Sequence, residues 1–114
     1  MSKDEQAMDV IGEVIRELER ATKKFPTWPT DPLHALAVLG EEYGELTKAA
    51  LQLTYEPEKV THEELQKEAV QVAAMALRFA ASLDVYVYTK AEQHRQEQFE
   101  DERRAYSASG GLHP

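Results

Sequence analysis

Residues 69–83 read AVQVAAMALRFAASL, and this run indicates the fold class more strongly than any other part of the chain. It is the longest mostly apolar stretch, and only Gln71, Arg78 and Ser82 interrupt it. It is too short to span a bilayer, which requires about 20 residues. When the run is helical, apolar or small side chains point in nearly all directions. It therefore predicts a buried helix at the centre of a bundle.

The chain before this run predicts two amphipathic helices. The first extends from about Lys3 to Lys24, and its apolar side chains recur at helical spacing: Val10, Ile11, Val14, Ile15, Leu18 and Ala21. Three prolines end it, and Asp31 followed by Pro32 is typical of a new helix start. The second helix should extend to about Tyr55, with a buried stripe formed by Leu36, Leu39, Tyr43, Leu46, Ala50 and Leu53.

The central helix itself should run from about His62 to Leu83, after a capping pattern formed by Thr61 and Glu64. Residues 84–88 alternate like a strand, but nothing else in the sequence offers a strand to pair with them. We therefore predict that they are helical, either continuous with the central helix or bent at Asp84.

The rest of the chain completes the predicted architecture. Residues 90–104 are highly charged and predict a solvated helix or a weakly packed arm. We predict an all-α antiparallel helical bundle, with one domain over residues 1–106 and a flexible tail over residues 107–114. The helices from Pro32 and His62 should pack antiparallel.

Length and composition narrow the functional classes. A chain of 114 residues suits one domain, and 42% hydrophobic with 30% charged residues is typical of a globular protein. The absence of cysteine excludes disulfides, thiolate nucleophiles and cysteine zinc sites, and it fits a cytoplasmic protein. A net charge of −8 argues against nucleic acid as a partner. Neither a signal-peptide core nor a membrane span is predicted.

The candidate chemistry lies in two acidic pairs. Residues three apart on a helix share a face, so Glu42 and Glu45 project together from the second helix, as do Glu68 and Gln71 from the third. Antiparallel packing would bring the two pairs face to face, which is how helix bundles build carboxylate metal sites. Oxygen ligands suit Mg²⁺ or Mn²⁺. Crowded carboxylates should also have raised pKa values. The alternative is a solvated helix face.

The segment Glu41-Glu42-Tyr43-Gly44-Glu45-Leu46, followed by a helix containing Glu68-Ala69-Val70-Gln71, resembles the MazG-like all-α nucleoside triphosphate pyrophosphohydrolases. Their pattern is ExxE, a variable gap, then ExxD, and the resemblance covers roughly residues 33–83. It implies hydrolysis of a nucleoside or deoxynucleoside triphosphate to the monophosphate and pyrophosphate.

The resemblance also implies roles for individual residues. Glu42, Glu45 and Glu68 would be catalytic metal ligands for Mg²⁺, with Mn²⁺ as a substitute. Gln71 stands where the family has aspartate; its carbonyl oxygen can ligate the ion, but it brings no negative charge. This departure leaves open a second reading, in which the chain is a catalytically degenerate helical oligomer or adaptor of the same fold.

Three further residues are candidates for substrate binding. Trp28 would stack on a nucleobase or, alternatively, close the end of the bundle. Lys48 and Lys67 flank the acidic pairs and would hold phosphate oxygens, unless they only solvate the helix surfaces. The central helix is too apolar for a monomer with a modest core, so we predict a homodimer or a dimer of dimers, with this helix near the subunit interface.

Overall fold

The computed structural model describes residues 1–88 and 90–109, which contain four α-helices and no strand. The α-helices are α1 (Lys3–Lys24), α2 (Pro32–Tyr55), α3 (His62–Ala81) and α4 (Lys90–Ala108). Short 3₁₀ turns occupy Pro57–Lys59 and Leu83–Val85. The prediction of an all-α fold is confirmed for this part of the chain, in which no helix is long and apolar enough to cross a membrane.

Side chains cap the first three helices, at Asp31 and Thr61 as the sequence predicts and also at Ser2. The Ser2 hydroxyl accepts a hydrogen bond from the Glu5 backbone N–H at 3.1 Å, and the Glu5 carboxylate accepts one from the Ser2 N–H at 3.3 Å. The Asp31 carboxylate accepts from the backbone N–H two residues on, and the Thr61 hydroxyl accepts from that of Glu64. These bonds satisfy backbone donors that have no partner within the helix.

The helix α3 lies in the middle of the fold and packs against α1 on one side and α2 on the other. Its Val70, Ala74 and Met75 form the buried core together with Val14 and Ala21 of α1. The central position predicted for this helix is therefore confirmed. Several of the buried side chains are alanines, which allow helices to approach one another closely.

The stripe predicted to be buried along α2 is wrong for three of its six residues. Leu36 and Tyr43 are 51% and 62% exposed, and Ala50 is exposed as well. The buried residues of α2 are Ala35 and Ala49, which lie next to the predicted stripe. The prediction assumed that α2 has packing partners along a wide face, but within one chain α2 packs only against α3 among the helices described.

The stripe predicted for α1 is also partly exposed. Ile11 and Ile15 are 52% and 44% exposed, and with Leu77 of α3, which is 43% exposed, they line an open apolar groove. Within one chain these side chains lie on the outer side of the contact between α1 and α3. Within the described part of a single chain, the groove is therefore an apolar surface without a cover.

The helix predicted over residues 84–88 is wrong. After the 3₁₀ turn the backbone becomes extended at Tyr86, and the N–H of Val87 donates to the carbonyl of Thr30 at 2.8 Å. The Tyr86 ring is buried, with its centroid 5.2 Å from that of Phe79. These contacts with distant parts of the chain replace the local bonds that a helix would make.

The charged helix predicted after this segment is present as α4. Gln96 lies in the first half of α4, and its side-chain amide donates to the carbonyl of Leu83 at 3.2 Å. The helix continues through Ser107 and Ala108, the first two residues of the predicted tail. The remainder of that tail, residues 110–114, lies outside the described residues.

Candidate metal and nucleotide site

The helices α2 and α3 bring Glu42, Glu68 and Gln71 into direct contact. With its nitrogen oriented to donate, the Gln71 amide bonds to Glu42 Oε2 at 3.1 Å and to Glu68 Oε2 at 3.2 Å. A half-turn of the same amide would place its carbonyl oxygen at this position instead. In one orientation the amide therefore donates hydrogen bonds to two carboxylates. In the other it offers a third oxygen ligand to a metal ion.

The fourth predicted ligand, Glu45, lies one turn further along α2. Glu45 is exposed and shares a small cavity of about 140 Å³ with Glu68 and Lys48. Glu42 lies next to Gln71 of α3, whereas Glu45, further along α2, lies next to Glu68, which comes earlier in α3. This reversal is the predicted antiparallel packing, and it places all four residues along one seam.

The oxygen atoms of this seam have the chemistry that Mg²⁺ and Mn²⁺ prefer, namely carboxylates and an amide carbonyl. Within residues 1–88 and 90–109, however, no group of three His, Cys, Asp or Glu side chains is placed to hold a metal ion. The direct contact consists of two carboxylates, Glu42 and Glu68, with the Gln71 amide between them. Because their ligating atoms are oxygens, these residues suit a hard divalent cation.

Crowding of negative charge is visible at Glu42. Burial is the largest cause that raises the pKa of its carboxyl group, and Glu68, Glu45, Glu17 and Glu41 raise it further, in that order. The raised pKa predicted for a crowded carboxylate site is therefore present at Glu42. A cation placed here would relieve both effects, since it would neutralise the charge that burial and the neighbouring carboxylates disfavour.

Helix α1 also contributes to the site, which the sequence analysis did not anticipate. The Glu17 carboxylate accepts a hydrogen bond from Arg20 Nε at 2.9 Å, and this bond is the main reason that the pKa of Glu17 is lowered. Both side chains line the cavity beside Glu42 and Gln71. An acidic residue followed three residues later by an arginine is common on exposed helices, so the pattern gave no signal of a site.

The cavity beside the seam has a volume of about 400 Å³ and combines acidic, basic and aromatic side chains. Its acidic and amide side chains include Glu17, Glu41, Glu42 and Gln71, and its basic and aromatic ones are Arg20, Phe25, Trp28 and Arg78. A polar seam that opens into a partly aromatic cavity is a suitable shape for a ligand with both phosphate and ring components.

Trp28 borders the cavity that contains part of the predicted site. Its ring is half-buried, and its indole Nε1 donates to the Tyr86 hydroxyl at 2.9 Å. The guanidinium of Arg78 lies 4.8 Å from the ring centroid. Because Arg78 and Tyr86 hold the ring from different directions, Trp28 is fixed at the wall of the cavity.

The two predicted lysines lie on the other cavities. Lys48 is next to Glu45 and Glu68, and Lys67 lines a groove of about 820 Å³ that also includes Glu17 and Arg20. Both lysines are exposed. They flank the seam as predicted, but neither lines the cavity that contains Trp28.

Arg78 is another cavity residue that the sequence did not assign to the site. The signal was its position: it is a charged residue inside the most apolar run of the chain.

No family model matches this chain, and no curated protein or solved structure is significantly similar to it. The chemistry of the site is therefore inferred from its own residues.

Proposed function

We propose that the protein is a Mg²⁺-dependent nucleoside triphosphate pyrophosphohydrolase of the MazG-like type. It would split a nucleoside or deoxynucleoside triphosphate between the α and β phosphates and release the monophosphate and pyrophosphate. The observation that carries the proposal is the contact of Glu42 and Glu68 through Gln71, on a seam beside a partly aromatic cavity.

Four residues would hold the ion: Glu42, Glu68 and the Gln71 carbonyl, with Glu45 from the next turn. When bound, Mg²⁺ neutralises phosphate charge and lowers the pKa of a coordinated water. The chain itself would position oxygen ligands on two rigid helices. It would also turn the Gln71 amide so that its carbonyl oxygen, rather than its nitrogen, faces the ion. The raised pKa of Glu42 supports this assignment, because a cation compensates for crowded carboxylates.

The cavity would receive the nucleoside. Its volume of about 400 Å³ is within the usual range of small-molecule pockets. Trp28 and Phe25 offer aromatic surface for a base or sugar. Arg20 donates to Glu17 through Nε and Nη2, and its Nη1 would donate to a phosphate oxygen next to the acidic seam. Lys48 and Lys67 would attract the triphosphate from the flanking grooves.

A catalytically degenerate oligomer or adaptor is the second candidate, and a specific contact favours it. The Gln71 amide satisfies both carboxylates by hydrogen bonding without any cation. The exposed apolar groove formed by Ile11, Ile15 and Leu77 also suits a subunit interface. In either case we propose a homodimer or a dimer of dimers that covers this groove.

The proposal is tested with a panel of common and modified nucleoside triphosphates, each incubated with Mg²⁺ or Mn²⁺. Pyrophosphate and orthophosphate are assayed separately, because only cleavage between the α and β phosphates releases pyrophosphate directly. We expect pyrophosphate with at least one substrate, and its loss in Glu68→Gln. Glu19→Gln is the matched control, since Glu19 is an exposed residue of α1. No pyrophosphate from any substrate would support the adaptor instead.

A further inference from the structure

Arg78 is a nearly buried arginine that has no ion-pair partner among the described residues. It is only 8% exposed. Its Nη2 donates to the backbone carbonyl of Phe25 at 2.7 Å, and its guanidinium stacks on Trp28. The three ion pairs described in the chain involve other residues. Because burial of an uncompensated charge is costly, an arginine in this position needs a further explanation.

Arg78 lines the cavity with a guanidinium that makes only one hydrogen bond among the described residues. A guanidinium has five N–H donors, and the contacts above use one of them. Within residues 1–88 and 90–109, every fully buried side-chain nitrogen and oxygen atom has a hydrogen-bond partner. The Nε and Nη1 atoms of Arg78 make no hydrogen bond among these residues, so neither is fully buried, and the cavity is what Arg78 lines. They form a planar set of donors whose orientation is fixed by Phe25 and Trp28.

The distance from this donor set to the acidic seam suits a nucleotide. Gln71 and Arg78 lie on the same side of α3 and line the same cavity. Seven residues of helix separate them by about 10.5 Å along the helix axis. This spacing is comparable to that between the phosphates and the far edge of the base in a nucleotide, so a ligand with its phosphates at the seam would bring its base to Arg78.

We propose that Arg78 recognises guanine by donating to O6 and N7 of the base, which makes the protein selective for guanine nucleotides. This inference rests on the proposed function. Arginine bonds to this pair of acceptors more often than to any other base edge. Adenine presents an amino donor beside N7, and this donor would oppose the guanidinium.

A change in the ligand tests the inference without altering the protein. The parent is assayed with dGTP, 7-deaza-dGTP, dATP and dCTP, and the binding of dGMP, 7-deaza-dGMP, dAMP and dCMP is measured separately by calorimetry. We expect dGTP and dGMP to be preferred, and the 7-deaza analogues to be weakened about fivefold or more. Equal binding of dGMP and its 7-deaza analogue, or a preference for dAMP or dCMP, would overturn the inference.

The residue itself is tested with Arg78→Lys, which keeps the charge but loses the planar pair of donors. The variant should bind dGMP and dAMP with similar affinities, and a thermal melt checks that it is folded. Arg103→Lys is the matched control, because Arg103 is also stacked on an aromatic ring, that of Phe99, but on exposed α4. If Arg78→Lys is folded and retains the parent's preference for dGMP, Arg78 does not read the base.

The two proposals fail in distinguishable ways. If no triphosphate is hydrolysed but dGMP binds selectively through Arg78, the hydrolase is wrong and the guanine site stands. If triphosphates are hydrolysed without regard to the base or to N7, the hydrolase stands and the guanine site is wrong. The calorimetric measurement needs neither metal nor turnover.

Discussion

The indole Nε1 of Trp28 donates a hydrogen bond of 2.9 Å to the hydroxyl oxygen of Tyr86, 58 residues further along the chain. The Tyr86 hydroxyl in turn donates to the carbonyl of Phe79 at 3.0 Å. This chain of bonds connects the proline-rich segment before α2 to the end of α3. It fixes Trp28 at the wall of the cavity, so the stability of the fold and the shape of the cavity depend on the same contact.

Removal of the Tyr86 hydroxyl should therefore destabilise the protein. Tyr86→Phe leaves the Trp28 N–H without its partner and removes one of the hydrogen bonds to the Phe79 carbonyl, which also accepts from the Ser82 N–H. The expected cost is about 1–3 kcal/mol in the free energy of unfolding. Urea denaturation followed by fluorescence measures this, because Trp28 is the only tryptophan. Tyr106→Phe, at a half-exposed position of α4, is the control and should unfold like the parent. Identical midpoints for all three proteins would refute the role of the contact.

The raised pKa of Glu42 predicts a pH-dependent gain in stability for Glu42→Gln without metal. Above the folded-state pKa the carboxylate is charged in both states but is disfavoured in the folded one, so the parent carries a penalty. That penalty disappears as pH falls through the folded-state pKa toward the ordinary value of 4.5. Glu42→Gln should be more stable than the parent by roughly 0.5 kcal/mol at pH 7.

The comparison of these two proteins is made by urea denaturation at pH 7 and at about pH 4.5, both with a chelator present. The advantage of Glu42→Gln should shrink at the lower pH, where the parent's carboxyl group is increasingly neutral and resembles an amide. Glu19→Gln controls for the general effect of removing one negative charge. An advantage that is absent at pH 7, or that grows as the pH falls, would contradict this explanation.

Gln71→Asp should affect metal-free and metal-bound protein in opposite ways. Without metal, the variant loses the amide bonds to Glu42 and Glu68 and adds a third negative charge, with an expected cost of about 1–3 kcal/mol. With Mn²⁺, it should bind the ion more tightly than the parent, because aspartate restores the ligand set of the MazG-like pattern. Calorimetric titration with MnCl₂ and melts with a chelator measure the two effects. Weaker Mn²⁺ binding than in the parent would count against a metal at Gln71.

The exposed groove between α1 and α3 should mediate self-association. We expect light scattering to report a dimer or a dimer of dimers at micromolar concentration. Leu77→Glu, which places a charge in the groove, should yield a smaller species. Gln66→Glu adds the same charge at an exposed position outside the groove and should leave the assembly intact. A parent that is a stable monomer would show that the groove is not a subunit interface.

The helix boundaries were predictable because local signals determine them. The caps at Ser2, Asp31 and Thr61 act within a few residues, and each starts a helix where the sequence places it. The segment at Tyr86 was not predictable in this way, since its conformation depends on Trp28, Thr30 and Phe79, which are distant or belong to another element. A local pattern contains no information about such partners.

The candidate site shows the same division. The spacing of Glu42, Glu45 and Glu68 predicted that two helices would bring these carboxylates to one seam, because helical periodicity and antiparallel packing suffice for it. Glu17 and Arg78 join the cavity only through the packing of α1 and of the loop after it against α3. The prediction of the buried residues of α2 was also partly wrong. Which face of α2 is buried depends on how α2 packs against α3, and the periodicity of α2 alone does not determine this.

The most direct test of the account is a thermal melt of the parent with and without MnCl₂ and a non-hydrolysable triphosphate. Metal and nucleotide bind a site that the unfolded chain lacks, so at a concentration 100 times the Kd they should stabilise the fold by about 2.7 kcal/mol. This should raise Tm by several degrees in the parent and in Glu19→Gln, but not in Glu68→Gln. If the parent's Tm ignores metal and triphosphate together, the acidic seam is a solvated helix face and the adaptor is the better account.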